Sequence, residues 1–531
     1  MGRFKSMGDS DLKLDDEQVR RFICDGVLVL DSDADASLHQ GIRDKLESIY
    51  RNNGETGNNI LPQVSKLQRV LDSPPVIGAL QSILGESYMQ YPHRILVPSE
   101  PLKPEQRNIE LRGDENGPPM GEGSLSYSYW HKDTYMPLGR TRYHVPRFVY
   151  LFYFPQDTPV EKGPTRVIPG SQNQDRLSEA DHAYAHVPDQ VRAGSCILTA
   201  FDIDHAGMSN RTDQTRYMVK FVFRRTRNPE KPSWNGGMDD WRPPDEYLGR
   251  YSHPETWSYV WDWMRGKRRS ETEAATDIDR HIGHLNGADQ QQRLAAIYSL
   301  GAMGEPALAP LLSSLLAVEG QNRIEPPYVQ KADGSFEVSA DSAARRWTEG
   351  GYIFQDEAYA LGCLGEIAID FLLELLDRDD AWIVINAAFA LGEIGSAAAR
   401  AVPQLAALLD SPDHRVVRAV LESIACIGSN TIAALPAISK LLYTKRDAWT
   451  QDLQLNYLAG DQIHLNAIDV LLQSDLDTKD LEDLLIDMLE RPAPFVYVPA
   501  TALEILIRRG SPKGTRHALQ YLQAHCWDDC R

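Results

Sequence analysis

Apolar positions along the chain follow two different rhythms. In the first part they come as short runs of β-branched and aromatic residues, at Ser124–His131, Arg147–Phe154, Thr165–Ile168, Cys196–Phe201 and Tyr217–Arg224. Turn chemistry such as Pro169-Gly170-Ser171 separates the runs. No helix-period segments alternate regularly between them, which predicts an antiparallel double-sheet jelly roll (a cupin-like double-stranded β-helix) over a parallel α/β sheet. Ahead of the runs, Leu14 to Arg51 reads as two helices flanking a short strand. Asp15-Asp16-Glu17 supplies an N-cap and an acidic first turn before Val19, Phe22 and Ile23, Gly26 breaks the pattern, and Val27-Leu28-Val29-Leu30 is a strand.

From residue 277 onward the rhythm is Ala- and Leu-rich and helical. A short unit recurs as Leu300-Gly-Ala-Met-Gly304, Leu361-Gly-Cys-Leu-Gly365, Leu391-Gly-Glu-Ile-Gly395 and Ile424-Ala-Cys-Ile-Gly428, with spacings of 61, 30 and 33 residues. A period near 30 residues with two helices per unit is the mark of an α-solenoid, and this half resembles HEAT-type repeats. The small glycines let paired helices approach closely, and Gly320–Gly351 reads as an insertion that loops out. Between the two rhythms lie prolines and tryptophans 234, 241, 257, 261 and 263, too aromatic for a free linker and expected to pack between the halves. The predicted organisation is therefore multidomain: a jelly-roll domain with flanking helices over 1–228, a Trp/Pro-rich bridge over 229–276, and an all-α solenoid over 277–531.

Composition changes this picture little. A chain of 531 residues with 42% apolar and 24% charged content is that of a globular protein of more than one domain. No uninterrupted apolar stretch approaches the roughly 20 residues a bilayer span needs, and the first residues lack a secretory core, so a cytoplasmic location and no membrane partner are expected. Charge is more telling. Residues 1–250 carry 31 Lys+Arg against 35 Asp+Glu, and residues 251–531 carry 24 against 40, leaving the second half at −16 of the net −20. Such a surface is expected to bind nucleic acid poorly, because phosphate contacts need clustered cations, although a basic protein partner suits it. The six cysteines (24, 196, 363, 426, 526, 530) are scattered and read as buried, reduced thiols.

The chemistry concentrates on four residues. His131 and Asp133 stand two apart at the end of a strand, where side chains at i and i+2 share a face. His205 follows a strand that can lie opposite them. Two imidazoles and one carboxylate hold ferrous iron on one face and leave positions open for ligands and oxygen. Arg216, eleven residues on, can clamp the far carboxylate of an organic co-substrate. Other candidates are weaker. His182 and His186 have helix-face spacing but no third ligand, His144 and Asp204 are neighbours of the site or surface residues, and Ser171 and Ser195 have no base pattern beside them. Tyr127, Tyr129, Trp130 and Tyr135 flank the first ligands, chiefly as core residues.

At these residues the chain resembles the phytanoyl-CoA dioxygenase family of iron/2-oxoglutarate oxygenases, over roughly residues 14–226. The resemblance rests on Leu14-Asp-Asp-Glu-Gln-Val with Phe22 and Asp25-Gly-Val-Leu-Val-Leu, on Trp130-His131-Lys132-Asp133, on Gly163-Pro-Thr-Arg-Val-Ile-Pro-Gly-Ser171, and on His205-Ala-Gly-Met-Ser-Asn210-Arg-Thr-Asp-Gln-Thr-Arg216. It implies that His131, Asp133 and His205 ligate Fe(II), that Arg216 binds 2-oxoglutarate, and that Asn210 supports the co-substrate. It further implies a reaction with O2 that releases succinate and CO2 and oxidises a C–H bond of a small or carrier-linked organic substrate. An aspartate at 133, where a small residue would vacate a place for halide, favours hydroxylation. Departures from the family pattern are Lys132 where Gln is common, Gln172 where His is frequent, and Gly207 where a small hydroxyl residue often stands. Two rival readings are a protein hydroxylase that docks its target on the solenoid and a non-catalytic scaffold. A di-iron centre of the His-Glu kind in the repeats is disfavoured because no His-Glu dipeptide occurs.

Overall fold

The structure is a computed structural model. It describes residues 12–54, 57–104, 130, 132, 143–174, 181, 183–188, 191–267, 277–287, 289–320, 354–444, 449, 459–474, 476–491 and 497–525, and the backbone alone of 328–330, 336–338, 452–454 and 457–458. The described residues form two compact units, one within 12–267 and one within 277–525.

The first unit opens with helix α1 (Asp16–Asp25). Asp15 caps it through its carboxylate, which accepts from Gln18 N, while the Gln18 side chain reaches back to Asp15 N, a reciprocal box that satisfies two backbone donors. Gly26, in the left-handed region, ends the helix and turns the chain into β1 (Val27–Asp31). Helices α2 (Ala36–Asn53), α3 (Ile60–Gln63), α4 (Leu67–Leu71) and α5 (Pro74–Leu84) follow. Then come β2 (Met89–Ser99), β3 (Phe148–Tyr153), β4 (Thr165–Val167), β5 (Ser195–Ala200), β6 (His205–Gly207) and β7 (Arg216–Arg224). The main sheet has the order β1-β5-β3-β7-β2 with every neighbour antiparallel, and a smaller antiparallel sheet pairs β4 with β6.

Four of the five expected strand runs are present, while Ser124–His131 lies outside the described residues apart from Trp130. The sequence pattern missed β2. Pro92 and Pro98 interrupt that run, and the strand accommodates them by sitting at the sheet edge and shifting register between Gln90 and Arg94.

Alternation along the strands separates two faces. Val149, Leu151 and Tyr153 of β3, Cys196 and Leu198 of β5, and Tyr217, Val219, Phe221 and Phe223 of β7 join Val19, Phe22, Ile42, Leu46, Leu80 and Ile83 of the helices in one buried cluster. The other face carries the residues taken up below. The Trp-rich stretch through residue 267 is built into this unit. Trp234, Trp257 and Trp261 enter the same cluster, the last two on helix α6 (Pro254–Met264). Trp234 Nε1 donates to Asp16 at 2.7 Å, Gly237 and Met238 N donate to the same carboxylate, and Leu248 and Gly249 N donate to Asp25.

The second unit stacks helices in two rows. One row runs Gln290–Ala302, Asp356–Leu364, Ala381–Ile394, His414–Ile427, Ala459–Gln473 and Tyr497–Arg509, each packed on the next. The other holds their partners, Glu305–Leu316, Ile369–Leu376, Val402–Ala407, Leu435–Tyr443, Lys479–Glu490 and Pro512–Ala524. The recurring glycines explain the repeat. A Cβ on Gly301 would sit 2.4 Å from Cys363 Cβ and one on Gly362 would sit 2.7 Å from Glu393 Cβ, so the first glycine of the unit is where one repeat touches the next. The second, as at Gly304, Gly365 and Gly395, has positive φ and ends the helix. Buried polar groups tie the first repeats together: Arg293 Nε meets Asp356 at 3.1 Å, Asn286 N donates to the same carboxylate, and Ser314 and Asn286 donate to Glu357. The run Ala381–Asp410 is long and apolar enough to cross a membrane by length and composition, and 78% of its apolar window is buried, as in a core helix of a solenoid. The expected insertion at 320–351 falls mostly outside the described residues, whose backbone there pairs Tyr328–Gln330 with Phe336–Val338.

Candidate active site

His205 opens β6. The β4–β6 pairing sets it opposite Val167, so the GPTRVIPGS stretch and the HAGMSN stretch are neighbours in space. The imidazole is buried, with Phe152 and Tyr150 ring centroids at 5.7 and 6.2 Å. Its Nδ1 lies 3.1 Å from Ile203 O. A carbonyl can only accept, so Nδ1 carries the proton and Nε2 keeps the lone pair a metal requires.

Arg216 opens β7 opposite Ser99 of the edge strand. Only 2% of it is exposed. Nε donates to Gly163 O and Nη1 to Val97 O, both at 3.1 Å, and Phe154 lies 6.0 Å from the guanidinium carbon. No carboxylate pairs with it among the described residues, and burial without a counter-charge pushes its pKa down to about 10. The carbonyl it grips requires a glycine: Gly163 has φ +74°, and a Cβ there would lie 2.4 Å from Met208 O. Asn210 closes the loop between His205 and Arg216. Its amide donates to Ser99 O at 2.9 Å and Gln214 O at 2.7 Å, and its oxygen accepts from Thr212 N and Oγ1. That fixes the start of β7 through the protein's own groups.

His131 and Asp133 lie outside the described residues, as do Tyr127, Tyr129 and Tyr135. Lys132, between the two expected ligands, is described and buried. Its ammonium donates to Ser171 O at 2.5 Å and Asp202 O at 2.7 Å and stands 3.9 Å from the Asp202 carboxylate. Ser171 Oγ in turn accepts from Asp204 N at 2.8 Å. The buried ammonium thus ties Lys132 to the PGS turn and to the loop that precedes His205. Burial raises the neighbouring Asp204 to about 6, with Lys132 opposing that shift. Trp130 lies against Arg166, whose guanidinium carbon is 4.6 Å from the ring. The bracing role of Lys132 escaped the sequence reading. The available signal was Lys132 itself, a cation standing between two expected ligands.

The remaining candidates separate cleanly. His186 pairs with Val167 in an extended bridge, which corrects the helix-face reading of His182 and His186; His182 lies outside the described residues. Gln172 donates to Ile23 O and Cys24 O, fastening the PGS turn to α1. No group of three or more His, Cys, Asp or Glu side chains fit to hold a metal occurs among the described residues. Cys24, Cys196 and Cys426 are buried free thiols and Cys363 is half-buried.

Residues 116–218 match the phytanoyl-CoA dioxygenase (PhyH) family, and residues 359–456 match HEAT repeats. The chain carries a phytanoyl-CoA dioxygenase domain followed by HEAT repeats. The match begins after β2 and ends three residues into β7, taking in both His205 and Arg216. No curated protein matches the chain. Among solved structures, EctD from S. alaskensis with 2-oxoglutarate and 5-hydroxyectoine is similar at 17% identity, TM-score 0.32, over 48% of this chain and 88% of that one. The non-heme α-ketoglutarate-dependent carbocyclase SnoK of nogalamycin biosynthesis is similar at 16% identity, TM-score 0.31, over 40% and 85%. The epimerase SnoN in complex with Fe3+, α-ketoglutarate and nogalamycin RO is similar at 15% identity, TM-score 0.30, over 45% and 92%. Within the matched region, the β4–β6 and β2–β7 pairings and the loop between them hold His205, Asn210 and Arg216, and Lys132 is anchored to Asp202 O in the segment just before His205.

Proposed function

We propose that the dioxygenase domain is an Fe(II)- and 2-oxoglutarate-dependent dioxygenase that hydroxylates an unactivated C–H bond of a small or carrier-linked organic molecule. In this reading His131, Asp133 and His205 hold iron, and the main and small sheets are the two halves of a double-stranded β-helix. Arg216 carries the argument. A buried guanidinium is costly unless its charge is met, and its hydrogen-bond partners among the described residues are two neutral carbonyls. The distal carboxylate of 2-oxoglutarate supplies the missing anion as a charge-assisted pair. His205 fits as a ligand because its tautomer presents Nε2.

When bound, the iron and keto acid would supply the oxidising power, with O2 as co-substrate and succinate and CO2 as products. The protein's part is placement. Gly163 and Val97 carbonyls aim Arg216, Ile203 O orients His205, and the rings of Phe152, Phe154 and Tyr150 keep water from the site. The HEAT repeats, acidic and separate in sequence from the chemistry, suit a protein partner.

Anaerobic addition of Fe(II) and 2-oxoglutarate to metal-free protein tests the reading. A visible metal-to-ligand band is expected, and succinate release on admitting air. Arg216→Gln should raise the 2-oxoglutarate needed for half the band by at least tenfold and leave Fe(II) affinity within about threefold, the loss of one charge-assisted pair. No band in the unaltered protein, or an unchanged 2-oxoglutarate requirement in Arg216→Gln, ends the proposal.

A further inference from the structure

Three carboxylates hold one irregular stretch of chain. Trp234 Nε1, Gly237 N and Met238 N donate to Asp16. Leu248 N at 2.7 Å and Gly249 N at 3.1 Å donate to Asp25. Arg250 Nη1 at 2.8 Å and the Tyr251 hydroxyl at 2.9 Å donate to Asp181. Asp25 and Asp181 are buried, at 5% and 3% exposure. Between β7 and α6 the chain has no helix or strand of its own, so this fixing at three points makes residues 234–251 a strap. The strap lies outside residues 116–218, which carry the family match.

Asp25 differs from the other two anchors because its main chain is used as well as its side chain. The carboxylate takes the strap, while the main-chain oxygen accepts from Gly170 N at 3.0 Å. Ile23 O and Cys24 O, just before it, accept from Gln172. The last carbonyls of a helix have no donor within it, so the PGS turn serves as the cap of α1. Gly249 closes the same corner from the strap side, where a Cβ would lie 3.2 Å from Pro169 O and 3.5 Å from Gly170 Cα.

From the turn the path continues to the imidazole. Ile168 N donates to Asp204 O at 3.0 Å, and Asp204 N donates to Ser171 Oγ at 2.8 Å. Both main-chain groups of the residue before His205 are thus held by the turn. Ile203 O, one residue earlier, is the acceptor that orients His205 Nδ1. Strap, Asp25, Gly170, Ser171, Asp204 and His205 are consecutive links, each joined to the next by a hydrogen bond or a peptide bond.

We propose that Asp25 is a positioning residue for His205, and that the strap on its carboxylate belongs to the metal site as the element that keeps the PGS turn in place. Groups one step removed from a metal ligand are worth about 10–100-fold in affinity, because they hold the ligand where the metal needs it. This inference rests on the oxygenase reading above, in which His205 holds iron, and adds a control on that ligand from outside the matched region.

The full chain is compared with Asp25→Ala, which releases the strap, and with Asp25→Asn, which keeps an oxygen for Leu248 N and Gly249 N. Leu248→Pro removes one of the two donors and leaves α1 intact, so the link stays testable if Asp25→Ala does not fold. Anaerobic Fe(II) affinity is read from the band at saturating 2-oxoglutarate. Amide exchange is read over residues 168–172 and 203–207, against the helix Pro74–Leu84. Asp25→Ala and Leu248→Pro should weaken Fe(II) binding about tenfold and quicken exchange in both segments about tenfold, with Pro74–Leu84 unchanged. Asp25→Asn should stay within about threefold of the parent in both readings. Unchanged exchange at 203–207 in the folded variants overturns the link. Quickened exchange with unchanged Fe(II) affinity overturns the positioning role, because the strap then serves folding alone. An Asp25→Asn chain as impaired as Asp25→Ala overturns it too, since the hydrogen bonds are then not what acts. If the parent gives no band, the oxygenase reading fails, and exchange alone decides whether Asp25 holds the His205 segment.

Discussion

Replacing Lys132 by methionine keeps the length of the side chain and removes its charge and its donors. The consequence follows from the partners. Two buried carbonyls, Ser171 O and Asp202 O, lose hydrogen bonds from an ammonium, each worth roughly 1.5–3 kcal/mol. The buried Asp202 carboxylate at 3.9 Å and the buried Asp204 lose the cation beside them. Breaking a buried pair from one side costs about 3–5 kcal/mol, part of it the same hydrogen bonds counted once already, so a total of about 4 kcal/mol is expected. For a unit of this size that lowers its unfolding temperature by on the order of 10 °C. Lys132→Gln, the family's common residue, restores donors to the carbonyls but not the charge, and should recover about half of the loss.

The assay follows the unfolding of the dioxygenase domain by its tryptophan signal with and without Fe(II) and 2-oxoglutarate. Lys132→Met should lower the unfolding temperature and also weaken Fe(II) affinity, because the residue holds the loop that carries His205. A fall of less than about 1 kcal/mol would show that the ammonium is not the brace the geometry describes. A full fall with unchanged Fe(II) affinity would show that the brace serves folding and not the site.

Gly163→Ala forces a Cβ into Met208 O from a positive-φ position, so it should cost about 1–3 kcal/mol and raise the 2-oxoglutarate half-saturation by misplacing the carbonyl that holds Arg216, read from titration of the Fe(II) band. Asp356→Ala leaves Arg293 buried without its carboxylate at a cost of about 3–5 kcal/mol, and amide exchange should quicken in Gln290–Ala302 and Asp356–Leu364 with α6 unaffected; equal exchange in variant and parent would refute it. Burial pushes His253 down to about 4, so the fold holds it neutral where the unfolded chain near 6.5 is already taking up a proton. Stability is therefore expected to fall as pH drops from about 6.5 to about 4, by up to about 3 kcal/mol from this group, and His253→Gln should flatten that part of the urea midpoint profile.

How much could be read beforehand depended on whether the partner was near in sequence. The α1 cap was legible because Asp15 and Gln18 are three residues apart. The long-range use of the same acidic helix was not: Asp16 and Asp25 also receive backbone donors from residues 237, 238, 248 and 249, and nothing in those amides marks them in advance. The solenoid was legible because a steric rule repeats, glycine where Cys363 or Glu393 must approach and glycine where the helix must stop. Strand β2 was hidden because edge position and a register shift, neither visible in composition, are what make its two prolines tolerable.

The site shows the same asymmetry in sharper form. Lys132 donates to Ser171 O and Asp202 O, Arg216 to Gly163 O and Val97 O, Gln172 to Ile23 O and Cys24 O, and His205 to Ile203 O. In these four sets of contacts every donor is a side chain and every acceptor is a main-chain carbonyl. A donor of this kind has to be a particular residue type, whereas any residue supplies a carbonyl. The motif letters therefore record half of each contact, and the acceptor half is written in the course of the backbone. Gly163 is the exception, because its acceptor oxygen is presented from a backbone conformation and a packing distance that exclude a side chain. That is why the sequence could single out Arg216 and His205 as chemistry while giving no hint of β2, whose Val97 oxygen helps to aim the guanidinium.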